Sequence, residues 1–267
     1  MAELADAPDL GSGALRVWEF DSPRLYEKKQ SDTFAMNKPS LPKSVFFTAL
    51  SLLILFTFSC KGKAVDGVSE ATRSGYWPNM ARLADHYREI GDVTGVTDLD
   101  TAILIDGNDN KLFLVHAPAG ELKILKTYDI STSKYGYGAE RGSNKTPWGV
   151  HRIDGKYGAG QPPGMSFYDR RPTGEIATIY TDTTNVEIDP VTSRIIWLNG
   201  LEDVNSTSYW RFVYIHGTHE EGLLGTPQSK GCIRMGNREV IELFGLVSTG
   251  TYVNIIRPVS DTLREKE

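Results

Sequence analysis

The stretch Ile215-His216-Gly217-Thr218, followed by Ser229-Lys230-Gly231-Cys232-Ile233-Arg234-Met235, ends an apolar run on a histidine and sets a cysteine sixteen residues further on. Only the thiolate of a cysteine is a strong nucleophile, and an unperturbed thiol near pKa 8.5 is mostly protonated at neutral pH. A histidine within reach can take that proton, and the charges of Lys230 and Arg234 on either side favour the same ionisation. Gly231 lets backbone come close to a carbonyl, so amides beside Cys232 are candidates for an oxyanion hole. Polar, glycine-bearing flanks suit an exposed loop better than a core. His216, His219 and Cys232 can also be written as three zinc ligands, but no fourth ligand follows, so no metal is expected. Glu220 and Glu221 read as a solvated loop edge.

Around this stretch the hydrophobic period is two. Thr101–Asp106 and Lys111–His116 flank Gly107-Asn108-Asp109-Asn110, a hairpin turn. Leu122–Ile130, Gly149–Ile153, Ser166–Tyr168, Glu175–Tyr180, Arg194–Leu198, Arg211–His216 and Thr251–Ile256 continue as short strands. Two helices interrupt them. Ser69–Ile90 carries Met80, Leu83, Ala84, Tyr87 and Ile90 on one face, with Pro78 in its first turn and Gly91 ending it. Arg238–Val247 follows the cysteine, with Asn237 as N-cap. Many short strands and few helices predict a mainly β fold, a sandwich or a closed, barrel-like sheet. The 267 residues carry 29 Lys+Arg against 34 Asp+Glu, a net charge of −5. That balance lacks the basic surplus of a nucleic-acid binder, and two cysteines cannot staple a disulfide scaffold.

Val45–Phe58 is the one long apolar run, fourteen residues against the roughly 20 of a membrane-spanning helix. Lys38 and Lys43 precede it and Ser59-Cys60 follows. This is the layout of a secretory signal, and a cysteine just after the break is similar to a bacterial lipoprotein signal, in which Cys60 would be lipidated. An uncleaved anchor helix is the other reading, and both tether the domain to a membrane. Met36 is a natural start, so residues 1–35 read as an extension from a start-site error through a tRNA gene, or as a disordered tail. The expected organisation is then 1–35 extension, 36–59 signal peptide, 60–98 linker and lead-in helix, 99–258 catalytic domain, and 259–267 polar tail.

His216-Gly217 with Ser229-Lys230-Gly231-Cys232-x-Arg234, at this spacing, resembles the L,D-transpeptidase (YkuD) catalytic domain. Ile103–Val115 looks like that family's opening hairpin, and Ile130-Ser131-Thr132-Ser133 and Thr146-Pro147-Trp148-Gly149-Val150 like its middle landmarks. Lys230 stands where histidine is more frequent, His151 where an aromatic residue is more usual, and Gly155–Ser208 is longer than in minimal members. The resemblance implies a β-sandwich of mixed sheets, with one helix after the cysteine and a short helical lead-in. It implies Cys232 as nucleophile and His216 as general base. Gly231 and Ser229 would serve the oxyanion and the loop, and Arg234, Lys230, Gly217 and Trp148 the substrate. The implied partners are peptidoglycan stem peptides, as donor and amine acceptor, with no cofactor and no nucleic acid. Thioester transfer would release D-alanine and form 3→3 cross-links in the cell envelope; hydrolysis on the same site, as an L,D-carboxypeptidase or amidase, is the alternative. Carbapenem acylation of the cysteine is the expected vulnerability.

Overall fold

A computed structural model describes residues 78–97, 99–186 and 188–260. The expectations placed on residues 1–77, including the 36–59 signal and the Cys60 anchor, lie outside the described residues, as does the tail from 261. Among the described residues no helix is long and apolar enough to cross a membrane.

The lead-in helix α1 spans Met80–Thr94. The side chain of Asn79 accepts from the Arg82 amide, and Gly95 closes the helix at φ 72°. Gly91 therefore lies inside the helix rather than ending it: the left-handed residue that stops a helix is four positions on. Ten strands follow: β1 Thr101–Asp106, β2 Lys111–His116, β3 Lys123–Ser131, β4 Gly149–Tyr157, β5 Met165–Tyr168, β6 Arg171–Ile176, β7 Val191–Gly200, β8 Tyr214–Gly217, β9 Ile233–Met235 and β10 Tyr252–Ile256. Helix α2, Asn237–Leu246, sits between β9 and β10.

The sheet runs β4-β10-β1-β2-β3-β9-β8-β7, and β4 pairs with β7 to close it. The β5–β6 hairpin hangs from β7 outside the ring. Pairing is parallel for β1 with β10 and for β8 with β9, and antiparallel elsewhere. Of the expected sandwich of mixed sheets and closed, barrel-like sheet, the second is found: one mixed sheet closes into an eight-strand barrel, because β4 bonds to β10 on one side and β7 on the other. Closure removes the two free edges a sandwich would have to protect.

Side-chain alternation explains the layers. Ile103, Ile105, Leu112, Leu114, Ile196, Leu198, Ile215, Ile233 and Met235 point into the barrel, where Val240 and Leu243 of α2 join them. Ala102 and Leu104 of β1, with Phe113 and Val115 of β2, point outward and pack under Leu83 and Ile90 of α1. The outward residues of β5, β7 and β8, namely Met165, Phe167, Ile195, Trp197 and Tyr214, form a third cluster, against which Cys232 packs. Both faces of β1 and β2 are covered, so their sequences read as continuous apolar runs. The long Gly155–Ser208 stretch contains β7, a stave of the barrel; only the β5–β6 hairpin and the segment after it stand outside.

Candidate active site

Strands β8 and β9 lie side by side in parallel, with Ile215 opposite Ile233 and His216 opposite Arg234. Because Ile215 and Ile233 face the interior, their neighbours face out, so His216, Arg234 and Cys232 share the outer face. Residues sixteen apart in sequence thus come to neighbouring strands, with Cys232 two residues before the partner of His216.

The segment before Cys232 is fixed by the two middle landmarks. The Ser229 amide donates to the Thr132 carbonyl at 2.9 Å, and the Lys134 amide donates back to Ser229 at 3.2 Å. The Ser133 amide donates to Thr146 Oγ1 at 2.9 Å, joining the second landmark to the first. Ser229 Oγ donates to the Cys232 carbonyl at 2.6 Å and accepts the Gly231 amide at 3.2 Å. Gly231 has φ 119°, and a Cβ there would sit 3.1 Å from the Lys145 carbonyl; only glycine fits both demands. Gly217 is equally constrained, since a Cβ would meet the Thr192 carbonyl at 2.7 Å and Asn237 Oδ1 at 2.8 Å. Asn237, the first residue of α2 with Gly236 as N-cap, gives its Nδ2 to the Thr218 carbonyl at 2.7 Å. It also accepts from Thr192 Oγ1 at 2.7 Å and Ser193 Oγ at 2.5 Å, tying α2 to β7 and to the strand bearing His216.

His216 is buried, and its Nδ1 lies 2.8 Å from the Gly217 carbonyl. A carbonyl only accepts, so Nδ1 carries the proton and Nε2 is left as the basic nitrogen. Burial holds the imidazole pKa below its ordinary value, against the opposing pull of Asp189, so the ring is neutral at neutral pH. Cys232 is half-buried, with Sγ 3.5 Å from the Phe212 carbonyl. Burial pushes its thiol pKa up to about 11, and Asp189 adds to the rise, while a Tyr214 backbone hydrogen bond, Arg211 and Arg234 oppose it. The ion pair expected from the sequence is therefore replaced by a neutral thiol and a neutral imidazole: desolvation outweighs the flanking charges.

Arg234 does not face solvent. Its side chain is 1% exposed, with Nε 3.0 Å from Asp189 Oδ2 and 3.2 Å from Thr218 Oγ1, and Nη2 on Glu220 Oε2. Glu220, expected at a solvated loop edge, is buried, because it neutralises this guanidinium; Glu221 accepts from the Asn237 amide at 2.8 Å. His219 Nε2 lies with Asp189 and Glu220, within 4.8 Å, rather than with Cys232. Lys230 is exposed beside the cysteine. Trp148 stacks under Arg257 at 4.6 Å and lines a cleft of about 390 Å³ with residues of α1 and β10. His151, buried between Gly149 and Ser208, is a packing residue.

Several neighbours of the thiol had no local signature in the sequence. Arg211 Nη2 donates to the Lys145 carbonyl at 2.6 Å and Nη1 to Gly138 at 3.1 Å, bracing the loop behind Gly231. Phe212 holds φ 56°, unusual for a bulky residue, and its carbonyl faces Sγ. Asp189 and Arg170 come from the long 155–208 stretch. Tyr214 could have been found, since it shares β8 parity with His216.

Residues 100–255, more than half of the chain, match the YkuD family, the L,D-transpeptidase catalytic domain. The chain belongs to that family. Among individual relatives, the Bacillus subtilis protein YkuD, whose name assigns it to the L,D-transpeptidases, is 54% identical over 43 residues, 16% of this chain and 26% of its own length. A protein of Fuscovulum blasticum, named as an L,D-transpeptidase from the ATP synthase subunits region, is 43% identical over 47 residues, 18% of this chain and 25% of its own. These matches thus span about a quarter of the curated relatives. Among solved structures, an L,D-transpeptidase from Mycobacterium smegmatis gives a TM-score of 0.37 at 15% identity, covering 59% of this chain and 58% of that one.

Proposed function

We propose that the protein is a peptidoglycan L,D-transpeptidase with Cys232 as nucleophile and His216 as base. The observation that supports this reading is the β8–β9 register, which sets His216 opposite Arg234, two residues after Cys232 on the same outer face, with a neutral His216 whose Nε2 is the basic nitrogen. As Cys232 attacks the carbonyl of the L-centre in a tetrapeptide stem, its proton passes to His216 Nε2 and a C–S bond forms. The Cys232 amide receives the oxyanion, while the Gly231 amide, bonded to Ser229 Oγ, holds the loop. The C–N bond to D-alanine then breaks, and the imidazolium returns its proton to the leaving amine. An acceptor amine attacks the thioester, loses a proton to His216 and forms the cross-linking amide, as the C–S bond breaks and the thiol is restored.

Arg234 acts in this scheme through position: its buried pairs with Asp189 and Glu220 hold β9 against β8. Lys230, exposed beside the thiol, is in this reading a substrate contact, whereas Gly217 is buried and serves by letting β8 pack closely on Thr192 and Asn237. The same reading sets the domain in the cell envelope, exported by residues 36–59 and held at a membrane by lipid on Cys60. Incubation with a disaccharide-tetrapeptide tests the reaction. Cross-linked dimer with free D-alanine is the expected product; tripeptide alone would assign hydrolysis, and unchanged donor would refute the proposal.

A further inference from the structure

With Arg234 buried and doubly paired, and Arg211 bonded to two carbonyls, the cations left to meet the negative charge of a donor peptide are Lys230, which is exposed, and Arg170. We propose that Arg170, at the tip of the β5–β6 hairpin, is a specificity residue that binds a carboxylate of the donor; this rests on the transpeptidase reading above. Asp169 and Arg170 form the two-residue turn between Tyr168 and Arg171, with φ 45° and 63°. Left-handed values at both positions define a turn whose twist suits the strands, so the arginine is set by a regular hairpin rather than a loose loop.

The guanidinium is held from its inner side. It lies 4.6 Å over the Trp197 ring and 5.5 Å over Phe212, and Nη1 donates to Tyr214 Oη at 3.2 Å. Those aromatic residues belong to the wall that packs Cys232, and the Phe212 carbonyl is the group on Sγ. Arg170 and Cys232 thus pack on the same aromatic cluster.

Its outer side carries a placeholder. Nη2 lies 2.9 Å from Asp169 Oδ1, a carboxylate whose side chain is 53% exposed. The Arg170 side chain is itself only 22% exposed, so solvent reaches and screens the pair from the Asp169 side, where a second carboxylate can approach. A planar guanidinium is suited to two-point binding of a carboxylate, so a substrate carboxylate can take the place of Asp169. In a tetrapeptide donor two carboxylates lie on the residues that flank the scissile bond: the C-terminal carboxylate of the leaving D-alanine, and a carboxylate on the far centre of the diamino acid.

The test uses the full-length protein and three disaccharide-tetrapeptide donors: unmodified, amidated at the C-terminus, and amidated at the diamino acid. The measured quantity is kcat/KM for release of the terminal residue. The wild type is expected to lose about tenfold to a hundredfold on one amidated donor, the size of a charge-assisted hydrogen bond. Arg170→Gln should lose the same factor on the unmodified donor and nothing further on that amidated one. The donor that shows this identifies the carboxylate. Arg170→Lys should keep part of the discrimination, and alkylation of Cys232 by iodoacetamide should proceed at the wild-type rate in both variants. Equal losses on all three donors, no loss, or discrimination that moves with Lys230→Met instead would overturn the assignment while leaving the transpeptidase reading intact. A wild-type protein that consumes none of the donors would overturn that reading, and the role of Arg170 with it.

Discussion

At the scale of single residues, the resting chemistry of Cys232 is decided by desolvation. The sequence puts cations on both sides of the thiol, but the fold turns Arg234 onto Asp189 and Glu220 and leaves the sulfur packed against aromatic side chains. A neutral pair makes a definite prediction. The rate of alkylation by iodoacetamide should climb with pH through neutrality towards about 11, where the thiol ionises; a plateau already reached at pH 6 would mean an ion pair. The acid side of turnover reports His216, which must be unprotonated to act. Because burial lowers its pKa, activity should fall only below the ordinary histidine range. The buried carboxylate Glu220 has a structural counterpart to these roles. Glu220→Gln leaves the Arg234 guanidinium short of a partner in a buried site, which costs about 3 kcal/mol or more. Urea unfolding at pH 7 measures that loss.

At the scale of elements, what was legible follows from periodicity. The β1–β2 hairpin, β3 and β10 stand within a residue of their expected bounds, as does α2, because each carries a clear alternation or helical face, whereas β4 starts at the expected Gly149 but runs four residues past Ile153 to Tyr157. The misses have physical causes. Glu175–Tyr180 reads as a strand, yet β6 is Arg171–Ile176, because the tight Asp169-Arg170 turn fixes where the return strand begins. Strand β9 is three residues long, too short for a period to show, although it carries the cysteine's neighbours. The Cys–His pair was legible from spacing and the family resemblance. Asp189, Arg211 and Phe212 were not, because only the closed sheet brings them to the thiol. Gly217 is the clearest element-level test. Gly217→Ala puts a methyl 2.7 Å from the Thr192 carbonyl and 2.8 Å from Asn237 Oδ1, so β7, β8 and the start of α2 must part. Overpacking of this kind costs about 1–3 kcal/mol. Thermal unfolding should show the loss, and donor turnover should fall further than stability does, since His216 is the preceding residue.

At the scale of the whole molecule, closing the sheet through β4 and β7 buries a histidine in the seam. His151 on β4 is fully enclosed, Nδ1 2.9 Å from the Gly149 carbonyl and Nε2 2.9 Å from Ser208 Oγ. Burial lowers its pKa to about 4, against the helping bond to Gly149. Both folded and unfolded chains are neutral there above pH 6.5. As pH falls below that, the unfolded chain takes up the proton first, and stability drops until the folded pKa is passed, by roughly 3 kcal/mol in all. Comparing wild type with His151→Gln at pH 7 and pH 4.5 should show the smaller acid loss in the variant; identical losses would remove His151 as the cause. The central claim concerns Cys232, taken as the acyl nucleophile. Intact-protein mass spectrometry after incubation with a carbapenem tests it most directly. The wild type should gain the mass of one carbapenem and Cys232→Ala none, whereas an adduct that persists in Cys232→Ala would contradict the account.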